Sequence, residues 1–308
     1  MAMNRAAFKA ELEEGLNAVW GLEYNRHKEE WKMVFNTENS DKAFEEDVLV
    51  TGFGAAEIKP EGSSVAYDEA FEGWKSRYDH KTVALAFSIT EEAQEDNLYM
   101  KMGQKYARAL ARSMVHTKEI HAASILNNAF NAAFTGGDGQ ALISANHPLV
   151  GGGVASNILG TPADMAEASI ESLLIQIRKA KDDRGIPISL QPVDLIIPPE
   201  EEFNAVRLLE STLRPGLQAG ATAALNDVNA INRKSIFGKE PIVITRLSDP
   251  DAWFIKTDAD DSLKHFNRVS VQTKMEDDFN TGNFRYKSRC RYSFGWSDFR
   301  GIFGSSGA

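Results

Sequence analysis

Apolar side chains between residues 5 and 35 recur at Phe8, Leu12, Leu16, Val19, Trp20 and Trp31 in a mixed-charge background, a helical stripe that Gly15 and Gly21 interrupt. The stripe offers too little apolar surface to fold alone, so this segment is expected to be an arm. From Val48 the pattern becomes strand-like and ends in strict alternation at Val83, Leu85, Phe87 and Ile89. Between them lies a long irregular insert, broken by Gly52, Gly54, Pro60, Gly62 and Gly73, that still carries Phe53, Ile58, Tyr67, Phe71, Trp74 and Tyr78. Connections of this length are uncommon in a compact domain unless they act as lids or binding elements.

Thr90 reads as an N-cap, with Glu91 and Glu92 in the first turn, where the helix dipole favours carboxylates. The stripe Tyr99, Met102, Tyr106, Leu110 and Met114 continues toward Phe134 and predicts a long helix. About forty helical residues would span ~60 Å. A compact chain of 308 residues is only ~50 Å across, so the helix is expected to kink, near Gly103 or His116, or the molecule to be elongated.

Gly136-Gly137-Asp138-Gly139 forms a turn, followed by a short extended piece with His147-Pro148 and a flexible Gly151-Gly152-Gly153. Thr161-Pro162 predicts a helix start, with Ile170, Leu173, Leu174 and Ile177 on its inner face and Gly185 beyond its end. Strands are expected over 186–190 and 193–197, the second apolar at four of its five positions, Asp194 excepted, and therefore central. Pro198-Pro199 ends it, and Glu200, Glu201 and Glu202 open another helix. Residues 214–234 read as a loose loop. Strands over 242–245 and 253–256 and a long pair over 269–275 and 284–294, turning at 277–282, complete an α+β pattern.

The composition is 43% hydrophobic and 25% charged, enough for a full core and two subdomains. The beginning of the chain shows no apolar leader, and no run approaches the ~20 residues of a bilayer helix, so neither secretion nor a membrane span is expected. The single Cys290 excludes an internal disulfide framework and, between Arg289 and Arg291 in a presumed strand, is expected to be a small core residue. A net charge of −10 repels phosphate backbones rather than capturing them.

Chemistry-bearing patterns fail one by one. Gly238-Lys239 lacks the upstream glycine of a phosphate loop, and Gly137-Asp138-Gly139 has Leu142 where a dinucleotide loop needs glycine. His116 and His121 lie five apart on a helix, too far around its axis to share a metal. The runs at Glu200 to Glu202, Asp258 to Asp261 and Asp277-Asp278 suit helix starts and turns, and none has calcium-loop spacing. The aromatics remain: on a projecting segment such side chains bury against another protein surface, which makes Trp20, Trp31, Phe53, Ile58, Tyr67, Phe71, Trp74 and Tyr78 the candidate subunit contacts.

Four groups of residues carry a resemblance when taken in order: Asp138-Gly139, Leu142, Ser144 and His147-Pro148; Pro192 through Pro199; Asp251 and Trp253-Phe254; and Arg291-Tyr292 through Asp298-Phe299-Arg300-Gly301. With the arm, insert and long helix, the chain resembles the major capsid proteins of tailed bacteriophages, which share the Hong Kong 97-type fold, and among them Mu-like major head subunits. The resemblance implies an N-terminal arm over 1–47, an extended loop over 48–89, a peripheral domain over 90–150 and 262–308 built on a spine helix, and an axial domain over 151–261. It implies a subunit that assembles in the host cytoplasm as hexamers and pentamers into an icosahedral shell, encloses double-stranded DNA without reading its sequence, and becomes part of the virion. Scaffolding, portal and decoration proteins are the expected further partners, and no cofactor, metal or catalytic residue is expected. An encapsulin-type nanocompartment shell keeps the fold with a different cargo, and a soluble hydrolase using Asp138 and His147 is the reading from another class.

Overall fold

The computed structural model describes residues 5–90, 92, 99–213, 228–237, 240–278 and 281–308. In chain order, helix α1 (Arg5–Arg26) and the single turn α2 (Trp31–Val34) lead to β1 (Asn36–Asn39), the paired strands β2 (Phe44–Val50) and β3 (Glu72–Asp79), and β4 (Lys81–Ile89). The long helix α3 (Tyr99–Asn127) follows, then the short strands β5 (His147–Pro148) and β6 (Val154–Ala155), and helix α4 (Glu167–Arg178). Strand β7 (Pro192–Ile197), helices α5 (Glu202–Glu210) and α6 (Ala230–Lys234), strands β8 (Ile242–Val243) and β9 (Trp253–Thr257), the long pair β10 (Leu263–Asp277) and β11 (Phe284–Trp296), and β12 (Ile302–Ser305) complete the described elements.

Two four-stranded sheets organise them, in the orders β1-β10-β11-β4 and β12-β9-β7-β8. Strand β7 lies inside the second sheet, and its alternate side chains serve two cores. Ile196 packs with α3, Leu263 and Trp296, whereas Leu195 and Ile197 pack under α4 and α5. Phe254 and Ile302 likewise face the first core while Trp253, Ile255 and Phe303 face the second. A strand covered on both faces is apolar on both, which is why Leu195, Ile196 and Ile197 show no alternation; Asp194, 6% exposed, is the one charged position in 193–197.

In the segment over 1–47, expected as an arm, Leu16, Trp20, Trp31, Val34 and Phe35 pack on their own chain. Leu16 and Trp20 lie against Ala107, Leu110 and Ala111 of α3 and Met275 and Tyr286 of the first sheet. The small alanines, both fully buried, let α1 approach closely. Strand β1, which the sequence did not disclose, adds to β10 in parallel. The long helix runs from Tyr99 to Asn127 with no break at Gly103 or His116. Its 29 residues span ~43 Å, short enough for a compact body. Its expected first turn, Glu91 and 93–98, lies outside the described residues.

Other boundaries moved for identifiable reasons. Helix α4 starts at Glu167 rather than after Thr161, because 161–165 is drawn out to the second sheet: Ala163 bonds Ser305 Oγ and accepts from Trp253 Nε1 at 3.1 Å. Ser169 Oγ then accepts the Ala166 N–H at 2.9 Å and opens the helix. Residues 186–190 form no strand, only an isolated bridge between Lys181 and Pro187, with Ser189 at φ 52°. In the expected loop over 214–234, residues 214–227 lie outside the described set, and Asn229 caps helix α6 through Ile231 N–H and Asn232 N–H.

The N-terminal segment is tied to α3 by Glu119, 3% exposed, which accepts the Glu30 N–H at 2.8 Å. Burial first, then the neighbouring Glu30 charge, pushes its carboxyl up to about 7 from 4.5. The fold therefore prefers the protonated acid, and this contribution is complete below about 4.5 and lost as pH rises through 7. Urea unfolding should show a loss of up to about 3 kcal/mol between pH 4.5 and 8 from this group. In Glu119→Gln that loss should shrink; an identical pH dependence in both proteins would contradict the assignment.

Candidate functional site

Strands β2 and β3 form a separate antiparallel pair that leaves the first sheet, pairing Phe44 with Asp79 at its base and Val50 with Glu72 at its far end. Charge complementarity stitches the exposed face: Glu46, opposite Arg77, also pairs with Lys75 at 3.2 Å, and the Arg77 guanidinium lies 4.0 Å over Phe44. Thr51 closes the ladder, donating its N–H to Phe71 O and accepting the Phe71 N–H, both at 2.9 Å. Beyond it, residues 52–70 contain no strand or helix. The expected insert is therefore a hairpin over 44–79, whereas β4 returns to the body and pairs along β11.

The base of this hairpin is anchored by polar groups inside the body. Tyr78, 3% exposed, reaches Ser297 Oγ at 2.5 Å, and Ser297 donates to Asp47 Oδ2 at 2.5 Å. The same carboxylate takes the Lys264 ammonium at 2.6 Å, and Asp261 takes it at 2.6 Å. Burial pulls the Lys264 pKa down, but the hydrogen bonds of Asp261 and Asp47 outweigh it and hold the amine charged. The Tyr78 ring packs edge-on to Phe266 and lies so close to Gly295 that a Cβ there would sit 2.7 Å from its Cε1. At the turn from β3 into β4, buried His80 bridges Ser40 Oγ at 2.9 Å and Ser293 Oγ at 3.0 Å. The Gly136-Gly137 turn supports β3 from beneath, since a Cβ on Gly137 would meet the Lys75 carbonyl at 2.7 Å.

The eight candidate contact residues divide sharply. Trp20, Trp31 and Tyr78 are inward, at 9%, 2% and 3% exposure, and serve the chain's own core; they are withdrawn as surface contacts. Trp31 packs on His265 and Phe294 and carries the Lys118 ammonium 4.1 Å above its ring. Trp74 is half-buried in β3. Phe53, Ile58, Tyr67 and Phe71 point outward at 64%, 96%, 98% and 55% exposure, joined by Val65, which the pattern did not single out. Side chains of this type left so open in one loop are unusual in a monomer.

Asp138 and His147 do meet, at 2.6 Å, but within a sealed brace. His147 is fully buried, stacks on Phe299 at 3.9 Å, and turns its second ring nitrogen to Asn157 Oδ1 at 3.0 Å. Asn157 in turn donates to the carbonyls of Leu142, Phe299 and Ile302. Both imidazole nitrogens are occupied, so the pair staples the turn to the C-terminal strands and offers no reactive face to a substrate. His116 and His121 face different partners, Arg246 and Tyr292. Burial pushes the Cys290 thiol up to about 11. Among the described residues no group of three His, Cys, Asp or Glu could hold a metal ion. No helix among them is long and apolar enough to cross a membrane.

The hairpin is thus anchored at its base by buried polar groups and carries exposed apolar side chains at its tip. A family profile for phage capsid protein matches residues 74–304. The chain belongs to the phage capsid protein family. No curated protein matches the sequence. Among solved structures, the chain is similar to Microbacterium phage Oxtober96, at 10% identity and TM-score 0.50, covering 90% of each chain. It is similar also to the capsid of an empty GTA particle, at 10% identity and TM-score 0.51, over 91% of this chain and 90% of that one. The holo-SrpI encapsulin complex of Synechococcus elongatus PCC 7942 matches at 9% identity and TM-score 0.51, over 91% and 88%. These likenesses establish the Hong Kong 97-type fold, and the family match sets the phage capsid reading above the encapsulin one.

Sequence reasoning missed the anchor residues Asp47, His80, Lys264 and Ser297. A trace was present: Lys264 stands between Leu263 and Phe266 at the apolar start of a strand, where an amine needs a partner. Lys264→Ala leaves Asp47 and Asp261 facing each other without a cation and should destabilise the capsid subunit by about 3 kcal/mol in urea unfolding. A change under about 0.5 kcal/mol would mean that the anchor is not what holds the hairpin base.

Proposed function

We propose that this chain is the major head subunit of a tailed bacteriophage, assembling in the host cytoplasm as hexamers and pentamers into an icosahedral shell around double-stranded DNA and remaining in the virion. The observation that carries this reading is the hairpin tip: Ile58 and Tyr67 are almost wholly exposed on a projection whose base is buried. Apolar groups held in water by an anchored arm lose nothing intramolecularly when a neighbour covers them, so their burial is available entirely to assembly.

In this reading the hairpin over 44–79 lies across neighbouring copies. The peripheral domain, over 90–150 and 262–308, carries α3 and the long pair β10 and β11, and the axial domain, over 151–261, carries α4, α5 and β7 to β9, whose sheet β12 joins from the peripheral segment. The net charge of −10 suits a wall that encloses a genome without adhering to it. Scaffolding, portal and decoration proteins are the further partners that such a shell requires. The chain is assigned no catalytic role, in keeping with the sealed Asp138 and His147 brace. DNA, rather than a cargo enzyme, should co-purify with the particles.

Substituting Ile58→Asp and Tyr67→Asp together should leave thermal unfolding within about a degree of the parent, because neither side chain touches the body. It should abolish shell formation in sedimentation assays. Normal shells from the double variant would remove the hairpin tip from the assembly interface.

A further inference from the structure

The geometry points to Arg184, on the loop between α4 and β7, as the positioning residue that holds the hairpin tip in place for assembly. This rests on the reading of the tip as the contact with neighbouring copies. Residues 52–70 have no ladder of their own, so an untethered tip would have to be ordered each time a subunit joined, at a cost in conformational entropy. Arg184 supplies the tether. Its Nη1 donates to Asp68 Oδ2 at 2.6 Å, its Nη2 to the Glu69 carbonyl, and its guanidinium lies 5.3 Å over Phe71. Asp68 Oδ2 also accepts the Gly54 N–H at 2.6 Å, so a single carboxylate gathers both ends of the tip at its neck.

The tether is presented on a rigid mount. Asp182 Oδ1 accepts the N–H groups of Arg184 and Ile186 at 2.9 and 2.8 Å. Asp183 is paired with buried Arg300 at 3.2 Å, and Arg300 Nε donates to Lys181 O at 3.1 Å. The turn carrying Arg184 is thus bolted to the segment before β12, and the hairpin is held at two points: its base on the first sheet and its tip on this turn.

The latched state presents the tip rather than hiding it. With the latch closed, Ile58 and Tyr67 are 96% and 98% exposed, while the groups that Arg184 engages are the Asp68 carboxylate, a backbone carbonyl and the Phe71 ring. The hydrogen bond from Arg184, with that from Gly54, keeps the Asp68 carboxyl at about 2, so the latch stays charged across ordinary pH and ionic strength is what loosens it.

The test is hydrogen exchange on the full-length soluble subunit, for the parent, Arg184→Ala and Asp68→Asn, alongside light-scattering assembly. Exchange at the hydrogen-bonded neck amides of Gly54 and Phe71 should rise at least about fivefold in both variants, and in the parent at high salt, with the urea midpoint unchanged. The threshold concentration for assembly should rise roughly three- to fivefold in both variants, with Arg184→Lys in between. Parental exchange in both variants would mean that no latch exists. Faster exchange with an unchanged threshold would overturn the positioning role alone, because the hairpin reading stands or falls separately on the Ile58 and Tyr67 double variant.

Discussion

A projection can hold a direction only if both of its strands are fixed where they leave the body. Here one serine does this for both: Ser297 joins Tyr78 of β3 to Asp47 of β2, and Lys264 ties the joint to β10. The arrangement is costly, since a lysine at 5% exposure must be desolvated, and it persists because two carboxylates and the first sheet's geometry satisfy it. Apolar packing would have served stability as well, but a single-geometry joint of charge-assisted bonds also fixes an angle. The paired strands outward of the joint inherit that angle, and beyond them the neck of the tip is bonded to Arg184.

The body behind the joint is built to be stiff. Its two sheets share one core through the alternate faces of β7, β9 and β12, and α3 packs its C-terminal half against both. The Asp138, His147 and Asn157 brace reinforces the same seam by tying the Gly136 to Gly139 turn, which supports β3, to the carbonyls of Phe299 and Ile302. Groups that in another setting would do acid-base chemistry are here spent on rigidity. A shell subunit requires that, because an error in the angle of each copy would accumulate around a closed surface.

Elements governed by local pattern were legible in the sequence. The period-two run ending at Ile89, the largely apolar strand over 193–197 and the long β10 and β11 pair appeared where their patterns placed them, β10 starting six residues before its expected Val269. What pattern could not show were contacts set by tertiary partners. Residues 161–165 carry a good helix start but are pulled straight by Ser305 and Trp253. Asn36–Asn39 has no strand propensity and becomes a strand only because β10 offers an open edge. Trp20 and Trp31 showed the same confusion from the other side: an aromatic in a polar helix looks alike whether a neighbour or the chain's own α3 covers it. The insert was recognisable as a long irregular segment with aromatics, of which Tyr78 proved to be core, yet its anchor was invisible, being made of single polar residues more than 200 positions apart.

Contact between the hairpin tip of one copy and the body of the next is tested most directly by a cryo-electron-microscopy reconstruction of the purified, self-assembled protein. Closed icosahedral shells, in which density for residues 52–70 runs over the adjacent subunit while Tyr78 stays joined to Ser297, are the expected result. Monodisperse single subunits at high concentration, or shells in which the tip touches only its own chain, would contradict it.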